Sequence, residues 1–143
     1  MSIPVLLVED NPGDVGLIRE ALREGKGQLR LHVAQDAMEA FDFMHRQGRH
    51  ADAPRPHLVL LDLNLPNMGG RELLARIKGD AYLRSIPVIV LTSSDAPRDV
   101  EACYDLHANC YVIKPFEVSE FARVLASIEE LWLGSARLPR GLR

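Results

Sequence analysis

The stretch Leu58-Val59-Leu60-Leu61-Asp62-Leu63-Asn64-Leu65-Pro66 decides the architecture. Consecutive aliphatic residues with no polar alternation read as a strand covered on both faces, as in a parallel sheet, and the run stops at a carboxylate. Further apolar runs bounded by turn residues lie at Val5 to Val8, Leu29 to Val33, Val88 to Leu91 and Tyr111 to Ile113. Segments of helical period separate them. Val15, Ile18, Ala21 and Leu22 share one face, as do Ala40, Phe41 and Met44, then Leu73, Leu74 and Ile77, then Val100, Cys103, Tyr104 and His107.

Strands alternating with helices that can each cover a sheet predict an α/β chain. The expected form is a doubly wound, five-stranded parallel sheet of (βα)5 type, with the flavodoxin-like strand order 2-1-3-4-5. Local punctuation agrees. Asn11-Pro12 reads as an N-cap followed by Pro at the first helical position, and Gly25 as that helix's stop. Ser94 or Asp95, just before Pro97, is expected to start the fourth helix in the same way, Gly69-Gly70 to be a loop-to-helix hinge, and Gln47 to Pro56 to be irregular.

The chain has 143 residues, 47% hydrophobic and 26% charged, the size and balance of one domain with a single core. A formal net charge of -3, with a local basic excess only in a tail holding Arg137, Arg140 and Arg143, gives no nucleic-acid footprint. Cys103 and Cys110 fall on different elements, outside any Cys-x-x-Cys or metal-ligand spacing, and read as buried thiols of a cytoplasmic protein. The start lacks a basic n-region and its apolar run ends at Glu9-Asp10, so no signal peptide is expected. No apolar stretch approaches the roughly 20 residues that span a bilayer, so no membrane partner is expected either.

In a sheet of this kind ligands bind outside the carboxyl ends of the strands. Those ends carry Glu9-Asp10, Asp62-Leu63-Asn64, Thr92-Ser93, and Tyr111 leading into Lys114-Pro115. Carboxylates gathered at one edge repel one another unless a cation compensates. Their hard oxygen donors suit Mg²⁺, and Lys114 offers an ammonium within reach of Asp62. A carboxylate so placed is a competent phosphoryl acceptor, since positioning and charge neutralisation carry most of that chemistry.

On these residues the chain resembles response-regulator receiver domains, over about residues 4 to 130. Glu9-Asp10 match the acidic pair, Asp62 the phosphoacceptor, Thr92 the switch hydroxyl, Tyr111 the switch aromatic and Lys114-Pro115 the Lys-Pro pair. The resemblance implies a receiver domain over residues 1–133 with a basic tail at 134–143. It implies direct Mg²⁺ ligation by Asp10 and Asp62, a backbone carbonyl ligand from Asn64 and a water-mediated role for Glu9, where many members carry Asp. It also implies a cis peptide between Lys114 and Pro115, and a sensor histidine kinase as phosphodonor. Leu61 to Pro66, Leu106 to Tyr111, and Phe121 to Trp132 are similar to the subgroup of small regulators associated with phytochrome-type kinases. A relay intermediate or a phosphate sink is the alternative to an output regulator.

Other functions are disfavoured residue by residue. A phosphohydrolase using an aspartyl-phosphate needs a second Asp two residues after the nucleophile as general acid, and Asn64 stands there. A flavodoxin-type cofactor carrier needs a Ser/Thr/Gly-rich phosphate loop after the first strand, where Glu9-Asp10 stand. A degenerate receiver acting only as a docking module would not keep every acidic, hydroxyl and lysine position filled. The five histidines are scattered, and His107 is expected to pack at the end of the fourth helix.

The last helix carries Val118, Phe121, Val124, Leu125, Ile128, Leu131, Trp132 and Leu133. This stripe covers roughly 200° of the helix, wider than the ~100° needed to cover a core. With Phe121, Leu125, Ile128 and Trp132 facing the sheet, Val124 and Leu131 form a surplus flank, and a homodimer through it is the expectation. The alternative is that the tail from Gly134 folds back over the stripe.

Overall fold

The computed structural model describes residues 3–23 and 29–139. Strands β1 (Ile3–Val8), β2 (Leu29–Ala34), β3 (Leu58–Leu61), β4 (Val88–Thr92) and β5 (Cys110–Ile113) form one parallel sheet in the order β2-β1-β3-β4-β5. Helices α1 (Pro12–Arg23), α2 (Ala37–His45), α3 (Gly70–Gly79), α4 (Pro97–Asp105) and α5 (Val118–Ile128) link and follow them. This is the doubly wound flavodoxin-like arrangement expected from the sequence.

Strand residues alternate between two cores. Leu6, Val8, Val59, Leu61, Val88 and Val90 face α2, α3 and α4. Val5, Leu7, Leu58, Leu60, Ile89 and Leu91 face Ile18 and Leu22 of α1 and Phe121, Leu125 and Ile128 of α5. Both faces are covered, which is why β3 and β4 are buried at every position and, apart from Thr92 at the end of β4, apolar throughout. Each such side chain removed from water contributes roughly 1.5–3 kcal/mol.

Register then aligns the strand ends. Val8 pairs with Leu61 and Val90 with Tyr111. The ladders run one residue past the strands: Glu9 N–H donates to the Ala34 carbonyl at 3.0 Å, Asp62 N–H to that of Val8 at 3.1 Å, and Lys114 N–H to that of Thr92 at 2.7 Å. Three of the chemistry-bearing residues are thus held by the sheet itself.

Asn11 caps α1 as expected, its Oδ1 accepting the Asp14 N–H at 3.0 Å, whereas Gly25 lies outside the described residues. Several expectations need correction. The N-cap of α4 is Ala96, because the Ser94 hydroxyl is turned onto Asp99 at 2.5 Å. Only Cys103 of the α4 stripe is fully buried; Tyr104 is 48% exposed, its hydroxyl accepting the Tyr111 N–H at 3.1 Å. His107 is exposed with φ 72°, because the α4 C-terminus closes in a Schellman turn: His107 N–H donates to Tyr104 and Ala108 N–H to Cys103. Cys110 is only partly buried, being on the edge strand. The segment from Gln47 is irregular apart from a 3-10 turn at Gly48–His50. No cis peptide bond occurs among the described residues, so Lys114–Pro115 is trans, the isomer X-Pro bonds favour, and Lys114 reaches the carboxylates from it.

Beyond α5 the chain continues as a π-helical segment, Glu129–Ser135, and Ala136 N–H donates to the Leu131 carbonyl at 2.7 Å. The wider turn lets the neighbours Trp132 and Leu133 both pack on the α1/α5 core, where Leu138 joins them.

Gly70 opens α3 against the chain leaving β3: a Cβ there would lie 2.4 Å from the Asp62 carbonyl oxygen and 2.6 Å from Leu63 Cα. Gly70→Ala is therefore expected to lower stability in denaturant unfolding by about 1–3 kcal/mol. Gly69→Ala, with nothing within 4 Å of the added carbon, should cost roughly 0.5 kcal/mol or less. Equal effects of the two substitutions would contradict this close approach.

Candidate functional site

Three carboxylates from separate places in the chain converge on one ammonium group. Lys114 Nζ lies 2.6 Å from Glu9 Oε1, 2.8 Å from Asp14 Oδ2 and 2.9 Å from Asp62 Oδ2. Glu9 Oε2 also accepts the Asn11 N–H at 3.2 Å, and Asp62 Oδ1 the Asn64 N–H at 3.1 Å. Glu9, Asp62 and Thr92 are buried, at 1%, 5% and 0% exposure. Buried charge on this scale is tolerable because it is paired and hydrogen-bonded.

The two buried carboxylates are driven apart. Burial raises Glu9 to about 7; the hydrogen bond from Lys114 opposes this without cancelling it, and the charge of Asp62 adds to it. For Asp62 burial also acts upward, but the hydrogen bonds from Lys114, the Asn64 N–H and Glu9 outweigh it, holding Asp62 below its ordinary value. Burial works against the Lys114 charge too, yet bonds to Asp14, Glu9 and Asp62 raise its pKa.

Around this centre the Thr92 hydroxyl is buried with no hydrogen-bond partner. An unsatisfied buried hydroxyl is costly and is a position where an incoming acceptor gains a ready donor. Tyr111, partly buried, donates its hydroxyl to the Ser94 carbonyl at 2.8 Å, and burial raises its pKa. Asp10 and Asn64 are exposed at the same edge, and the Asp10 carboxylate enters no hydrogen bond or ion pair among the described residues.

The donor set fits a hard cation. Among the described residues no three His, Cys, Asp or Glu side chains are gathered into a metal cage. Mg²⁺ is usually held by one or two carboxylates, with carbonyl, water or phosphate oxygens completing its shell. Asp10, Asp62 and the Asn64 carbonyl offer that chemistry.

Asp14 escaped the sequence reading. It sits in the first turn of α1, three residues after the Asn11 cap, and that spacing could have marked it as facing the strand ends. The link from Ser94 to Asp99, whose Oδ1 lies 3.6 Å from Arg71 of α3, was also missed. The dimer flank is divided: Leu131 is 55% exposed, whereas Val124 is half-buried against the α1/α5 core. The tail does cover part of the stripe, through Leu138. Val118, 58% exposed, lies on the other edge of α5. Among the described residues no helix is long and apolar enough to cross a membrane.

The family described as the response regulator receiver domain matches residues 5–126. The response regulator Rcp1 of Synechocystis sp. is 42% identical over 135 residues, covering 94% of this chain and 92% of Rcp1. Among solved structures, the phosphorylated cyanobacterial phytochrome response regulator RcpA is similar with a TM-score of 0.94 and 44% identity, covering 97% of this chain and 99% of RcpA. The Mn(2+)-bound form of Rcp1 has a TM-score of 0.92 and 42% identity, over 96% of this chain and 99% of that one. With its sheet order agreeing with these likenesses, the chain belongs to the response-regulator receiver family of two-component signalling proteins.

Proposed function

We propose that this receiver domain takes a phosphoryl group from a phosphohistidine of a sensor histidine kinase onto Asp62. One observation carries the reading: a buried, ionised Asp62 stands 2.9 Å from Lys114, next to a strand that ends in the unpartnered Thr92 hydroxyl. An Asp62 carboxylate oxygen forms the new O–P bond while the P–N bond to the kinase imidazole breaks. The electron pair leaves with the imidazole nitrogen, which takes a proton from solvent. Lys114 and Thr92 are placed to share the charge on the phosphoryl oxygens. Mg²⁺, held by Asp10, Asp62 and the Asn64 carbonyl with Glu9 acting through a water, would add positive charge at those oxygens. The likeness to the cyanobacterial phytochrome response regulator RcpA supports a phytochrome as the kinase. Residues 1–133 form the receiver, 134–143 its tail, and the work is cytoplasmic.

Incubated with acetyl phosphate and Mg²⁺, the wild-type chain is expected to acquire a base-labile phosphoryl label that Asp62→Asn lacks and that chelation of the metal suppresses. Full labelling of Asp62→Asn would sink the assignment.

Drawing the Thr92 hydroxyl onto the phosphoryl group frees space for the Tyr111 ring and breaks its bond to Ser94, a local charge change biasing a two-state element. Beryllofluoride with Mg²⁺ should shift the ring resonances of Tyr111 in the wild-type chain and leave those of Thr92→Ala nearly unmoved. Equal shifts in both would remove Thr92 from the switch.

We further infer a homodimer through the end of α5, with exposed Leu131 at its centre and Val124 at its margin. Sedimentation at micromolar concentration should give a dimer, and Leu131→Asp a folded monomer. A monomeric wild-type chain, with and without beryllofluoride, contradicts the contact.

A further inference from the structure

We propose that Asp14 is a positioning residue for phosphoryl transfer, fixing the Lys114 ammonium while one of its N–H donors passes from Asp62 to the phosphoryl group. This rests on the reading of Asp62 as the phosphoacceptor.

An ammonium has three N–H donors on a flexible four-carbon stem. In this structure each goes to a different carboxylate: Glu9 after β1, Asp14 in the first turn of α1, and Asp62 after β3. The Lys114 side chain is only 8% exposed, so water does not compete for them. When an Asp62 oxygen becomes bonded to phosphorus, the donor it held is released toward a phosphoryl oxygen. Glu9 and Asp14 then retain the other two, and the ammonium need not search for its place.

The backbone prepares this arrangement. Asn11 donates its N–H to Glu9 Oε2 and accepts the Asp14 N–H on its own Oδ1, so one cap sets two of the three carboxylates that face Lys114. A first-turn carboxylate also favours the helix through its dipole, and that alone would give Asp14 a structural role. The two roles differ in one respect: a dipole effect does not depend on the ammonium. Charge argues in opposite directions as well. Asp14 adds a negative charge near an incoming anion, so if repulsion dominated, neutralising it would speed transfer.

The experiment compares wild type, Asp14→Ala and the near-isosteric Asp14→Asn. Labelling by acetyl phosphate, in which acetate leaves with the electron pair of the broken P–O bond, is followed at saturating Mg²⁺. The Lys114 ammonium resonance is recorded in nitrogen-15-labelled protein and assigned by its loss in Lys114→Arg. Asp14→Ala is expected to label about tenfold more slowly, as for one lost charge-assisted hydrogen bond, with Asp14→Asn between it and wild type. The ammonium signal, protected in wild type, should vanish in Asp14→Ala through exchange with water. Labelling of either variant at or above the wild-type rate, or an unchanged ammonium signal in both, overturns the proposal. If the wild-type chain takes no label, the phosphoacceptor reading fails instead, and the ammonium signal still reports whether Asp14 holds Lys114.

Discussion

An ammonium within hydrogen-bonding distance of three carboxylates is what allows the sheet's carboxyl edge to exist in this form. Removing Glu9 and Asp62 from water costs several kcal/mol per ion, and their mutual repulsion adds to the cost. Lys114 offsets both, but only from one place, because its contacts at 2.6, 2.8 and 2.9 Å leave little room for displacement. The fold supplies that place. β5 pairs beside β4, the Lys114 N–H is tied to the Thr92 carbonyl, and the strand order puts β1 and β3 next to each other with their ends level. Under the proposed chemistry the same ion that steadies the carboxylates would also meet the phosphoryl group, so that stability and chemistry would draw on a single interaction.

A second lysine shows how much depends on what the surroundings offer. Lys78 donates to the Arg84 and Ile86 carbonyls at 3.0 and 2.9 Å and to Asn109 Oδ1 at 3.0 Å, near where β4 begins. Three oxygens again receive three N–H groups, yet these oxygens are neutral. Burial consequently lowers the Lys78 pKa, where carboxylates raise that of Lys114. Asn109 also accepts the Val88 N–H at 2.8 Å, so the Lys78 cluster fixes the entry into β4 as the Lys114 cluster fixes what lies at the far ends of the strands. Neutral acceptors make a brace. Carboxylates add an electrostatic centre that a transferred anion can perturb.

The sheet was legible because burial on both faces leaves short, continuous aliphatic runs between turn residues: Leu58–Leu61 and Val88–Thr92 are buried at every position, and runs this short, alternating with longer helical periods, point to strands. Glu9, Asp62, Thr92 and Lys114 were legible because strand ends in a doubly wound sheet converge. Asp14 was not, since it lies in a helix where an acidic first turn has an ordinary explanation in the dipole. The α4 stripe misled for a different reason. Tyr104 and His107 keep helical spacing with Cys103, but the Schellman turn ends the helix before His107, and Tyr104 gains more by holding the edge strand through its hydroxyl. Period counts positions on an ideal cylinder and does not see where the cylinder stops. The end of α5 was half legible, because a π-helical turn rotates Trp132 and Leu133 together toward the core and so narrows the flank read as surplus.

The polar links around Thr92 bear on how a charge at Asp62 would be felt elsewhere. The loop after β4 is held at several points: Tyr111 donates to the Ser94 carbonyl, the Ser94 hydroxyl to Asp99, and Arg71 of α3 faces Asp99 at 3.6 Å. Of these the Tyr111–Ser94 bond joins two neutral groups, and such bonds contribute about 0.5–1.5 kcal/mol. Thr92, by contrast, is fixed by full burial in β4 and lacks only a partner for its hydroxyl. Gaining an anionic acceptor there would be worth more than losing the neutral Tyr111–Ser94 bond, since hydrogen bonds to charged groups contribute roughly 1.5–3 kcal/mol. The imbalance favours a loop that yields while the sheet stays put. Under the proposed chemistry the first contact to give is the Tyr111–Ser94 bond, because it joins β5 directly to the loop that Thr92 would pull and links two neutral groups.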